Sequence, residues 1–107
     1  MSRIYSVYVI LLRDEVLSSG RFVKANPAYK RGSPCVYVGS SAHAPELRFE
    51  QHKSGYRSSR FAKEYGERLM PELYEQYNPI PTRHDAEEIE AYLADRLRVR
   101  GFGVWTN

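Results

Sequence analysis

The chain has 107 residues, of which 42% are hydrophobic and 27% charged, and its formal net charge is +3. This length and composition predict a single globular domain spanning 1–107 and exclude a low-complexity chain. The longest apolar run, Val7 to Leu12, is too short to cross a bilayer, and a single cysteine, Cys35, cannot form an intramolecular disulfide. We therefore expect a cytoplasmic protein with no membrane partner.

Two strands and an insertion are predicted in the first part of the chain. Residues 4–12 are rich in β-branched and aromatic side chains, which is typical of a strand, and residues 35–39 have the same character. Between them, residues 18–20 form a turn signal, residues 21–25 could form a short returning strand, and a loop with proline, glycine and basic residues follows. This pattern predicts an expanded basic hairpin or loop at about residues 13–34.

Helices dominate the prediction for the rest of the chain. Pro45 suits the first turn of a helix that runs to about residue 53 and is closed by Gly55. A second short helix, capped by Ser58 or Ser59, should end near residue 66. Residues 69–77 read as a strand, which Pro71 places at a sheet edge. A long helix follows over residues 83–100, opened by Thr82.

This order of elements predicts the fold class. Strand, strand, helix, helix, strand, helix fits an α+β protein better than a doubly wound parallel sheet. We expect a small, mainly antiparallel three-stranded sheet, which the hairpin insertion could extend, flanked by three helices.

Charge is distributed unevenly along the chain. The segment from Arg21 to Arg68 holds ten basic and four acidic residues, so it carries +6 and the remainder carries −3. A basic centre between more acidic ends is expected of a protein that binds a polyanion, although an ordinary basic surface fits equally well.

Several polar residues occupy positions where apolar ones are expected. Glu90 falls about 40° from Ala86 on a helical wheel, at the edge of the apolar stripe, where a carboxylate needs a cation or a partner. Alternatively, it leans outward and pairs with Arg83 or Lys63. Arg48 and His52 share a helix face and could bind a phosphate, or could simply be exposed. Tyr8 and Tyr37 lie in strands, where a buried hydroxyl needs a partner.

Taken together, these segments resemble the GIY-YIG endonuclease superfamily. The strand Tyr37-Val38-Gly39-Ser40-Ser41 resembles the second motif of the family, and Ser6-Val7-Tyr8 resembles the first, with serine in place of the usual glycine. The segments that resemble the family's helical motifs are Arg48-Phe49-Glu50-Gln51-His52, Ser59-Arg60-Phe61-Ala62, Tyr65-Gly66 and Ile89-Glu90-Ala91-Tyr92-Leu93. The spacing between Tyr8 and Tyr37 is longer than in the family, and so is the spacing between Glu90 and Asn107.

The resemblance implies a divalent-metal-dependent endonuclease that hydrolyses phosphodiester bonds in DNA. Glu90 would hold Mg²⁺ or Mn²⁺, and Arg48 would stabilise the scissile phosphate. Tyr8 and Tyr37 would position the attacking water, and one of them, or His52, would accept its proton. The residues expected to bind the substrate are Gly39, Ser40, Arg57, Arg60, Lys63 and Asn107. Nucleic acid is the expected partner, and the oligomeric state is open.

Two other functions remain open at this point. The chain could be a nucleic-acid-binding module of the same fold without catalysis, although binding alone does not require an inward glutamate. It could also be an interaction protein that uses the basic insertion to bind an acidic partner.

Overall fold

The computed structural model describes residues 4–106, and the strands within that range form one mixed sheet of four. They are β1 (Ser6–Leu12), β2 (Cys35–Ser41), β3 (Gly66–Leu69) and β4 (Gly103–Thr106), in the order β3-β1-β2-β4. β1 pairs antiparallel with β2 and with β3, whereas β4 pairs parallel with β2. The α+β class is confirmed. The prediction of three strands is wrong, because residues 103–106, expected to be a tail, form a fourth strand.

Four α-helices occur between residues 4 and 106, where three were predicted: α1 (Gly20–Lys24), α2 (Pro45–Ser54), α3 (Arg60–Tyr65) and α4 (Arg83–Val99). The predicted boundaries of α2 and α4 are confirmed. α2 starts at Pro45 and ends at Gly55, whose φ of 91° favours glycine. α4 starts after Thr82, whose side chain accepts a hydrogen bond from the Asp85 amide.

The insertion at residues 13–34, predicted as a hairpin or loop, lacks the short returning strand considered for residues 21–25. Its first half is a short 3₁₀ helix (Asp14–Ser18) followed by α1, and no strand forms there. Ser19 caps α1 by accepting a hydrogen bond from the Phe22 amide. Phe22 is fully buried and packs edge-on against Phe61. The segment is therefore anchored by one buried aromatic ring, and it does not have the alternating buried and exposed side chains of a strand.

The strand predicted at residues 69–77 is also displaced. β3 ends at Leu69 because Pro71 begins a 3₁₀ helix (Pro71–Leu73), and a second one (Glu75–Tyr77) follows. β3 is the outermost strand on its side of the sheet, but Pro71, from which an edge position was predicted, lies outside it.

The insertion is joined to the opposite edge of the sheet by a buried amide. Asn26 is 5% exposed, and its Oδ1 accepts a hydrogen bond of 2.8 Å from the Val104 amide in β4. Its Nδ2 donates to the Phe22 carbonyl. Arg98 of α4 donates to the Val104 carbonyl. Side chains thus satisfy the outward-facing polar groups of Val104 that an edge strand would otherwise leave unpaired.

The sheet lies between two helical layers. His52 of α2 contacts the rings of Tyr8 and Tyr37, whereas α4 packs against β2 from the other side. Since side chains alternate along a strand, Tyr37 and Gly39 face α2, and Ser40 faces α4. Within residues 4–106, no helix has the length and apolar character needed to span a membrane.

Candidate active site

Tyr8 and Tyr37 lie side by side on neighbouring strands. The antiparallel register places Tyr8 opposite Gly39 and Tyr37 opposite Ile10, and the two phenol rings are 6.2 Å apart between centroids. Both side chains are buried, at 1% and 0% exposure. The tyrosines predicted from separate motifs therefore share one buried polar cluster.

Gly39 provides the space for the Tyr8 ring. A methyl group on Gly39 would lie 2.5 Å from Cζ of Tyr8, closer still to its hydroxyl oxygen, and 3.0 Å from Cε1 of Tyr37. Glycine is required here because the phenol ring crosses directly over the backbone. Gly39, predicted to bind substrate, is buried beneath this ring.

His52 holds Tyr8 from α2. It is fully buried, and its Nδ1 accepts a hydrogen bond of 3.1 Å from the Ser59 amide. In the neutral ring the proton is then on Nε2, which lies 2.9 Å from the Tyr8 hydroxyl and donates to it. Burial lowers the pKa of His52 from 6.5 to about 4, and the positive charge of Arg48 acts in the same direction. His52 is therefore neutral at physiological pH, and both of its nitrogens are engaged.

The two phenols differ in acidity. Burial raises the pKa of Tyr8 far above its ordinary value, and the hydrogen bond with Tyr37 raises it further. Burial also raises the pKa of Tyr37, to about 12, followed by the charge of Glu90, but Arg48 and the bond with Tyr8 lower it. Because the Tyr8 hydroxyl accepts from Nε2 of His52, its own proton is available to Tyr37, in agreement with the opposite effects of their hydrogen bond on the two pKa values. The proton-donating order is thus His52, Tyr8, Tyr37.

Arg48 is held by the loop between α2 and α3. Its Nη1 donates to the Tyr56 carbonyl (3.2 Å) and to Oε1 of Gln51 (3.3 Å), and its Nη2 donates to the Arg57 carbonyl (2.6 Å). A guanidinium has five N–H donors, so two remain for a ligand. Its charge lowers the pKa values of Tyr8 and Tyr37. Arg48 lies one helical turn before His52, which contacts both phenol rings.

Glu90 approaches the same strand end from α4. It is half-buried, as the helical wheel predicted, and burial raises the pKa of its carboxyl while a hydrogen bond with Ser40 lowers it. Within residues 4–106 it forms no ion pair with Arg83 or Lys63. It lines a cavity of about 250 Å³ whose other residues are Tyr5, Ser40, Ser41, Ala42, Arg83, Ala86 and Glu87.

A second cavity of about 320 Å³ adjoins the first. The two share Ser40, Ser41, Ala42 and Arg83, so Arg83 lies between them. The remaining lining residues of the second cavity are His43, Arg48, Gln51, Tyr56 and Arg57. This lining contains three arginines and no carboxylate, so the cavity favours an anion.

The other predicted substrate-binding residues are dispersed. Arg57 lines the basic cavity, but Arg60 pairs with Glu64 and lines a separate cavity near α1. Lys63 is exposed on α3, and its side chain lies beside Gly55. Asn107 lies outside the described residues.

Six residues that line the basic cavity were not among the predicted site residues: Ser41, Ala42, His43, Gln51, Tyr56 and Arg83. Ser41 was part of the motif that carried the resemblance and could have been chosen. Arg83 is the first residue of α4, and Tyr56 lies in a loop, so no periodicity or motif indicated either of them.

Glu90 and Ser40 provide the donor set that a hard divalent cation would need. Mg²⁺ binds oxygen ligands and commonly retains several waters, so one or two protein oxygens are sufficient. A cation would also offset the cost of half-burying the Glu90 carboxylate. Among residues 4–106 no three histidine, cysteine or acidic side chains come together as a metal-binding group. The residues at this position offer a cation one carboxylate, Glu90, with the Ser40 hydroxyl beside it.

Comparisons with protein-family models, with curated proteins and with solved structures found no match to this chain.

Replacing Gly39 by alanine should destabilise the protein, because the new methyl group collides with the Tyr8 ring. Overpacking of this kind costs about 1–3 kcal/mol, which should lower the thermal midpoint measurably. Gly20→Ala is the matched control, since its added methyl group meets nothing within 4 Å. Equal midpoints for the two variants would contradict the close contact between Gly39 and Tyr8.

His52 should make the stability of the protein depend on pH. Its folded pKa lies below its unfolded value, so its contribution is complete above about pH 6.5 and declines as the pH falls towards 4. The loss should reach up to about 3 kcal/mol. Urea unfolding from pH 7 to 4 measures it, with His52→Gln as the variant that cannot titrate. If both proteins lose the same stability, the buried neutral imidazole is refuted.

Proposed function

We propose that this protein is a GIY-YIG-type endonuclease that hydrolyses phosphodiester bonds in DNA with a divalent metal ion. The observation that carries the proposal is geometric: Arg48 and Glu90 line two adjoining cavities that share Ser40 and Ser41 at the end of β2, and His52, one helical turn after Arg48, contacts the rings of Tyr8 and Tyr37. Arg48, Glu90 and the two phenols come from α2, α4, β1 and β2, and they meet at one end of the sheet. A binding surface alone does not require this convergence of opposite charges on two buried hydroxyls.

Phosphodiester hydrolysis needs neutralisation of the charge that develops on phosphate, an oriented water and an acceptor for its proton. The basic cavity supplies the first of these, through the two remaining donors of Arg48 and through Arg83. Glu90 in the neighbouring cavity would lie beside the same phosphate, because the two cavities share Ser40 and Ser41. Arg57 would bind an adjacent phosphate, and Arg60 and Lys63 phosphates further away along α3.

Glu90, with Ser40 beside it, would hold Mg²⁺ or Mn²⁺. The cation would add positive charge at the scissile phosphate and make the attacking water more acidic. Glu90 is the protein's contribution to this chemistry, and its position at the shoulder of α4 keeps the carboxylate partly desolvated. Partial desolvation strengthens its attraction for a cation.

Tyr37 is the better of the two phenols for accepting a proton. It stands at the accepting end of the hydrogen-bond order from His52 through Tyr8, and its phenolate would be stabilised by that bond and by Arg48. Arg48 also lowers the pKa of Tyr8, but burial raises that pKa further than the pKa of Tyr37, and the Tyr8 proton is donated to Tyr37, so Tyr8 is the weaker candidate. Tyr37 is fully buried in this structure, so this role requires the site to open when substrate binds.

Incubation with supercoiled plasmid in Mg²⁺, Mn²⁺ or EDTA tests the proposed activity. Wild-type protein should nick the plasmid only with metal, and Glu90→Ala should lower the initial rate at least about 100-fold, as expected when a preorganised electrostatic group is removed. Glu88→Ala is the matched control, because Glu88 is exposed on the same helix and pairs with His84. Metal-dependent nicking that survives in Glu90→Ala would disprove the metal site, whereas wild-type protein that leaves plasmid, branched DNA and RNA all intact would disprove the nuclease.

The roles of Tyr8 and Tyr37 can be distinguished in the same plasmid-nicking assay. Tyr37→Phe should lower the rate about 100-fold or more, as expected for loss of a proton acceptor. Tyr8→Phe should have a smaller effect, because it removes the donor that stabilises Tyr37 and leaves the acceptor in place. Unfolding midpoints of both variants control for packing. A larger loss in Tyr8→Phe would reverse the assignment.

A further inference from the structure

The loop between α2 and α3 carries an exposed aromatic ring beside the candidate site. Tyr56 is 56% exposed and lines the basic cavity with Arg48 and Arg57. The Arg57 guanidinium carbon lies 5.7 Å from the centre of the Tyr56 ring. An exposed ring next to several cations and no carboxylate is unfavourable for an apolar protein partner but suits a nucleotide, which combines a flat base with a negative phosphate.

This loop is held in a defined shape by residues of the site itself. Arg48 donates to the carbonyls of both Tyr56 and Arg57, and the His52 ring accepts from the Ser59 amide at the other end of the loop. Arg57 has a φ of 45°, which is uncommon for a residue other than glycine. A constrained backbone lowers the entropy cost of presenting the ring to a ligand.

We propose that Tyr56 is a stacking platform for an unpaired nucleobase, and that the substrate therefore carries an unpaired nucleotide next to the scissile phosphate. This inference rests on the proposed function. In duplex DNA each base already stacks on its neighbours, so an exposed protein ring gains little from it. An unpaired base can stack on Tyr56 while its phosphate lies in the basic cavity, where Arg48, Arg57 and Arg83 surround it.

Arg48 connects the proposed stacking position of Tyr56 to the phosphate that would be cleaved. The guanidinium that would touch the scissile phosphate is the same group that fixes the backbone on both sides of the Tyr56–Arg57 peptide bond. The distance between the stacked base and the phosphate is therefore set by one side chain. Tyr56 acts as a specificity-determining residue for the type of strand that enters the site.

Binding measurements in EDTA test the proposal without cleavage. Fluorescence anisotropy would compare a short DNA duplex with the same duplex containing a central run of unpaired bases. Wild type should prefer the second, and Tyr56→Ala should weaken that binding roughly 5- to 150-fold while changing duplex affinity little. Tyr56→Phe should retain the preference because it keeps the ring. Tyr92→Ala is the matched control, since Tyr92 is 54% exposed and lies outside both cavities.

A fluorescent base analogue, 2-aminopurine, in the unpaired run reports stacking directly. Its emission should be quenched by wild type and by Tyr56→Phe, and should recover with Tyr56→Ala. The inference is overturned if Tyr56→Ala weakens duplex and unpaired substrates equally, if it weakens neither, or if wild type shows no preference. Parallel cleavage assays with Mg²⁺ distinguish failure of the stacking proposal from failure of the nuclease proposal. Cleavage that does not depend on Tyr56 would reject stacking but not the nuclease. Stacking without cleavage of any substrate would reject the nuclease but not stacking.

Discussion

A single series of buried hydrogen bonds runs from the Ser59 amide to His52 and then to Tyr8 and Tyr37. This series determines how α2 and α3 pack on the sheet. Each member is buried, so each polar group needs the next one as its partner. These hydrogen bonds hold α2 on the sheet and the start of α3 on α2, and they select one tautomer of the His52 imidazole. Removing any member would leave an unsatisfied polar group in the core, which costs about 1–3 kcal/mol.

The chemistry proposed for this site uses the same groups that stabilise the fold. Tyr8 requires a bare backbone at Gly39 to reach His52, and Arg48 fixes the loop after α2 while lowering the pKa values of both phenols. Residues that serve both purposes cannot be exchanged for purely apolar ones without losing the local geometry. This explains why His52 and the hydroxyls of Tyr8 and Tyr37 lie within an otherwise apolar core.

The helices were largely predictable from sequence, because their ends carry local signals. Thr82 caps α4 and Gly55 closes α2, and both signals depend only on neighbouring residues. β4 and α1 were not predictable in this way. β4 has four residues and needs β2 as a parallel partner, and α1 forms because Phe22 is buried against Phe61, a contact distant in sequence.

The candidate site was likewise predictable from the sequence only in part. The sequence indicated Tyr8, Tyr37, Arg48, His52 and Glu90 through their spacing in separate motifs. It did not indicate that both nitrogens of His52 are engaged or that Arg48 binds loop carbonyls, because these contacts depend on the packing of α2 and α3. Tyr56 and Arg83 could not be identified without the structure, since only the shape of the basic cavity relates them to the other residues.

At the β4 edge of the sheet, side chains already hydrogen-bond the backbone groups of Val104, and this limits how copies of this protein can associate. Sheets often extend from one molecule to the next through the free backbone groups of an outer strand. Here Asn26 and Arg98 already occupy those of Val104, so a neighbouring strand would have to displace a buried amide before it could pair there. Continuous sheets built across this side are therefore disfavoured. If two copies act on opposite strands of one DNA, as the proposed function would allow, they would have to meet away from this edge.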